Sequence, residues 1–153
     1  MSNSLLFLII LHVIIFHIDE YYFHRKRVLC RKEVLGMFLD GALYLPPLII
    51  ASFTSHSPFW KTTFITFSIL SCISISKNEW FYNSDLTRPE RWVHSLLYIL
   101  HPILLYSFYQ SWVDNYFVQN LNFWMVQIIY LGFGVKTLTH QLIYWNYLRT
   151  DCL

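Results

Sequence analysis

Charge is what this chain has least of. Only 13% of its 153 residues are Asp, Glu, Lys or Arg, against roughly 25% in a soluble domain, too few to coat a globule in water. Glycine is also scarce: four residues, of which Gly132 and Gly134 stand inside an apolar run. That excludes a glycine-rich phosphate loop and leaves close helix packing as their use. The cysteines, Cys30, Cys72 and Cys152, are three in number and form no CxxC pair, which argues against a disulfide framework. Cys30, in a basic loop, reads as an inert thiol rather than an acylation site. The basic stretch from Arg25 to Lys32 is accounted for by membrane orientation and anionic lipid, so nucleic acid is not an expected partner.

What is abundant is apolar length. Hydrophobic residues make up 56% of the chain and the mean hydropathy is +0.41, and they fall into five runs. These cover Leu5 to Tyr22, Val34 to Phe53, Thr62 to Trp80, Trp92 to Tyr109 and Leu121 to Tyr147. Each approaches the ~20 residues that cross a bilayer core. The expectation is an all-α, polytopic membrane bundle of about five transmembrane helices, forming one domain over residues 1–153. Pro46-Pro47 should kink or loosen the second helix. The first run has no charge before it and no small-x-small site after it, so it reads as a retained helix rather than a signal peptide.

Arg25, Lys26, Arg27, Arg31, Lys32, Lys77, Arg88, Arg91 and Arg149 fall on one side of this topology, nine of the eleven basic residues. The positive-inside rule then sets the N-terminus outside and the C-terminus in the cytoplasm. The localisation expected is integral, in a bacterial-type inner membrane or another membrane facing the cytoplasm.

That topology draws acids and histidines into one layer, the cytoplasmic half. His17, Glu20 and His24 share one α-helical face by i, i+3, i+7 spacing, and Glu90, His94 and His101 another by i, i+4, i+11. Because the first and fourth spans run in opposite directions, His24 should lie level with His94 and His17 with His101. Glu79 ends the third span in the same half of the bilayer, and His140 stands a few turns before the exit of the fifth. Imidazoles and carboxylates are ligands for iron, zinc and manganese, and a bundle can aim them inward from several helices. The candidate ligands are therefore His17, Glu20, His24, His94, His101, Glu79, Glu90 and His140, with Asp40, Tyr44 and Tyr98 as supporting partners. Plainer roles stand beside these. Glu20 and Glu79 suit interfacial acids, Glu90 a first-turn acid favoured by the helix dipole, and His12 an interhelical hydrogen bond.

Histidines at the cytoplasmic ends of membrane helices give a layout that resembles the membrane fatty-acid desaturases and hydroxylases, whose plan implies two irons. Their HxxxH and HxxHH pairs are absent. The sequence has HxDExxxH from His17 to His24 and ExxxHxxxxxxH from Glu90 to His101. Nor are the ExxH pairs of soluble di-iron bundles present, and no family is recognised. The function expected is a metal-dependent oxidoreductase, hydroxylase- or desaturase-like. It would use iron, one ion or two, with zinc or manganese as substitutes, on a lipid or other apolar substrate, supported by an electron donor or a homo-oligomer. The alternatives are a b-type haem electron carrier, with His17–His101 or His24–His94 as axial pairs, and a proton-coupled transporter or channel subunit.

Overall fold

A computed structural model describes residues 2–26, 29, 31–82 and 86–145, with side chains for 4–26, 29, 31–77 and 86–145. The described residues form helices and no strand. In chain order these are α1 (Ser2–Ile18), a π-helical turn (Asp19–Phe23), α2 (His24–Lys26), α3 (Arg31–Phe53), α4 (Pro58–Tyr82), α5 (Arg88–Val113), α6 (Tyr116–Gln119) and α7 (Leu121–Ile143). Four stretches are long and apolar enough to cross a membrane: Ser4–Lys26, Arg31–Phe53, Pro58–Lys77 and Leu121–Ile143. The fourth of the five expected spans falls in α5, a long helix whose first turn holds Arg88, Glu90 and Arg91 and which is not among those four. Bulky apolar side chains such as Phe7, Ile14, Leu35, Ile73, Ile99 and Ile129 remain open around the outside, as on a surface facing lipid rather than water.

Helix α1 packs chiefly on α5, α3 on α4 and α7, and α5 on α3 and α4; α1 and α7 touch only along a narrow seam. The main core lies where α1 and α7 begin and α3 and α5 end, around Leu5, Leu48, Phe64, Leu104, Phe108 and Trp112. Phe64 stacks on Trp112 at 5.7 Å and Phe108 on Tyr130 at 5.8 Å. This aromatic end also satisfies the last carbonyls of α3, which have no partner within the helix. Trp112 Nε1 donates to Thr54 O at 2.7 Å, and Trp124 Nε1 to Ser52 O at 3.2 Å. Pro46 and Pro47 sit inside α3, which runs on as one helix to Phe53.

The start of α5 is fixed locally. Thr87 Oγ1 accepts from the Glu90 amide and Glu90 Oε2 accepts from the Thr87 amide, each at 3.4 Å, a capping box followed by Pro89 in the first turn. Thr87→Ala should therefore cost about 1 kcal/mol of stability, the usual worth of such a cap. Unfolding of the purified protein in mixed micelles measures it. At the far end, Asn115 takes a left-handed backbone (φ 52°) between α5 and α6, a conformation that asparagine tolerates better than most side chains.

Candidate metal centre

The π-helical turn is what builds the site. Five residues of α-helix rotate about 500°, so Asp19 and His24 would point roughly 140° apart. Here the His24 amide donates to the Asp19 carbonyl, an i→i+5 bond. The wider turn acts as a one-residue insertion and returns His24 to the side of Asp19. Both are buried, with Glu20 between them only 1% exposed.

Antiparallel packing of α1 and α5 brings His94 level with His24, their ring centroids 5.9 Å apart. Asp19 stands between the two imidazoles. Its Oδ1 is 3.0 Å from His94 Nε2 and its Oδ2 is 3.6 Å from His24 Nε2. One donor atom from each of Asp19, His24 and His94 lies within 4.8 Å of the others, the spacing of a set that can hold a metal ion.

Behind His24 comes a second acid. His24 Nδ1 is 3.3 Å from Glu20 Oε2, and Gln141 Nε2 of α7 donates to that same oxygen at 3.0 Å. Glu20 Oε1 faces His140 Nδ1 at 3.7 Å; neither of these two buried atoms has a hydrogen bond among the described residues. Imidazole and carboxylate thus alternate from His94 through Asp19, His24 and Glu20 to His140.

Of these groups His94, Asp19, His24 and Glu20 open on a cavity of about 150 Å³ whose walls include Phe16, Met37, Leu97, Phe133 and Leu138. That volume is enough to take a ring the size of benzene, although Asp19, Glu20, Glu33 and Asp40 also line it. Its opposite end, seven residues or ~10 Å along α1 and α5, is closed by His12 and His101 with Tyr44 and Tyr130. There Tyr130 OH is 3.0 Å from His12 Nδ1 and 2.9 Å from Tyr44 OH, and His101 Nε2 is 2.8 Å from Ser71 Oγ.

His17 is exposed and stacks on Phe133 at 4.9 Å, so it does not pair with His101. Counting the π turn as an insertion puts it about 120° from the His24 face. His17→Ala should accordingly leave unchanged whatever metal binding the parent shows in calorimetric titration. Glu90 serves the capping box of α5. Asp40 binds Lys77 Nζ at 3.3 Å and Ser74, and lines the cavity. Tyr98 lies 6.3 Å from His94, ring to ring. Glu79 is in α4 with its side chain outside the described residues, as are Cys30, Arg149 and Cys152. Asp19 was not among the sequence candidates. No family model, curated protein or solved structure matches this chain.

Proposed function

We propose that this protein is an integral membrane metalloenzyme. In it Asp19, His24 and His94 bind one transition-metal ion, iron by first preference, beside a cavity that takes a short segment of an apolar, lipid-like substrate. The observation that carries the proposal is the convergence of two imidazoles and one carboxylate within 4.8 Å. That donor set, with positions left open, suits non-haem iron that activates oxygen. Zinc takes a similar set in hydrolases, and manganese shares the oxygen ligand.

Glu20 supports rather than binds the ion in this scheme. It takes the His24 Nδ1 side while Nε2 faces the centre, the carboxylate–histidine–metal arrangement that fixes ring and tautomer. Gln141 holds Glu20 in turn. A bound cation would also offset the cost of burying Asp19 and Glu20 in an apolar bundle, several kcal/mol for an uncompensated charge. A hydroxylation at this centre takes up one dioxygen, two electrons and two protons. One oxygen atom enters a C–H bond of the substrate and the other leaves as water, so an external electron donor is required.

The topology proposed is five spans, with α5 as the fourth and the N-terminus outside. Arg25, Lys26, Arg31, Lys32, Arg88 and Arg91 lie at the end of the bundle that carries the centre, which favours the cytoplasmic side for it. Haem is disfavoured because the Asp19 carboxylate occupies the space between His24 and His94. The alternating His–acid series favours one second reading, a proton-conducting transporter subunit.

An iron-loaded sample in liposomes, given a chemical reductant and oxygen, separates these. Chelator-sensitive oxygenation of a bilayer lipid supports the proposal. Chelator-sensitive hydrolysis without oxygen uptake replaces it with the zinc chemistry, and proton flux that survives chelation replaces it with transport.

A further inference from the structure

Lys136 sits on the outer face of α7, inside a stretch apolar enough to span a membrane. It is seven residues, or ~10 Å, short of the end of that helix at Ile143. A charged side chain in such a position carries a penalty that demands a partner. Among the described residues no carboxylate supplies one: Lys136 Nζ donates to Tyr21 OH at 3.2 Å and lies over the Tyr21 and Phe133 rings at 5.3 and 5.9 Å. Ring faces relieve part of the cost but bring no negative charge. The Arg25 guanidinium lies 5.0 Å from the same Tyr21 ring and 5.3 Å from Tyr144. Two cations are therefore gathered around one tyrosine at the seam of α1 and α7. Deeper along that seam comes the exposed His17, stacked on Tyr21 and Phe133, and beyond it the exposed side chains of Ile10 and Ile14 on α1 and Ile129 on α7 are apolar.

We infer that this seam is a binding site for an anionic bilayer lipid, its phosphodiester headgroup held by Lys136 and Arg25 over Tyr21 and its chains laid against Ile10, Ile14 and Ile129. Charge complementarity selects the headgroup, and the apolar run selects a lipid rather than a soluble anion. Basic groups between membrane helices on the cytoplasmic side recognise such headgroups. The site borders the proposed metal centre: Arg25 follows His24 in the chain, and the Tyr21 ring is 5.2 Å from that of His140.

Native mass spectrometry of the detergent-extracted protein tests it, with phosphatidylglycerol, phosphatidylcholine and inorganic phosphate as separate probes. The expected result is one phosphatidylglycerol retained under activation that strips phosphatidylcholine, with no displacement by millimolar phosphate. Lys136→Gln should weaken phosphatidylglycerol about fivefold, the worth of one basic residue at an anionic surface, and Lys136→Arg should keep it. Equal retention of the two lipids by the parent protein overturns the inference even if Lys136→Gln fails to fold. So does displacement by phosphate, or an equal loss in the two variants. Metal content is read on the same samples and should not change.

Discussion

Asp19→Ala should abolish the metal binding proposed for this bundle. Among the described residues this carboxylate faces both imidazoles, 3.0 Å from His94 and 3.6 Å from His24, and its removal leaves two nitrogen donors. Loss of a group that merely orients a ligand costs 10–100-fold in affinity, so loss of the shared ligand itself should exceed ~100-fold. In practice, metal retained through purification should fall from about one equivalent to trace, by elemental analysis. Asp19→Glu, which keeps the charge but moves it by one methylene, should recover part of it. Retention of a full equivalent by Asp19→Ala would show that the ion is held elsewhere.

Glu20 should behave differently. Glu20→Gln keeps the volume and one acceptor oxygen, so the bundle should fold and bind metal 10–100-fold more weakly because the Nδ1 side of His24 loses its carboxylate. Glu20→Ala removes in addition the acceptor of Gln141 at a position that is 1% exposed. Interhelical hydrogen bonds in membranes average about 0.6 kcal/mol, but a buried group left without a partner costs ~1–3 kcal/mol, and the second effect should dominate. A destabilisation of about 2 kcal/mol in reversible unfolding from mixed micelles is expected for Glu20→Ala, with little change for Glu20→Gln. Equal stability of the two variants would mean that Gln141 finds another acceptor.

The sequence was informative about length and direction and blind to one backbone event. Apolar runs near membrane length marked the five long helices to within a few residues, because the bundle buries and exposes apolar groups alike. Opposite directions for α1 and α5 follow from the two long helices between them, and from that the level pairing of His24 with His94 could be foreseen. His12 as an interhelical hydrogen bond was also legible, and it bonds Tyr130. The π turn at Asp19–Phe23 was not: no glycine or proline marks it, and DEYYF carries no breaker. Counting by 3.6 residues per turn through that segment sends Asp19 away from His24 and brings His17 to it, the reverse of the arrangement found. A one-residue shift of phase after Ile18 puts His12, Asp19 and His24 along one face, and all three line the cavity. The roles of Gln141 and Ser71 depend on which helices become neighbours, which a single sequence of similar apolar runs does not encode.

The most direct measurement is elemental analysis together with an absorption spectrum on one sample of wild-type protein, extracted gently and without chelators. The account predicts about one equivalent of iron, or of zinc or manganese in its place, per chain, without the intense visible bands of haem. Iron, zinc and manganese all at trace levels in folded protein, or a bis-histidine haem spectrum, would contradict it.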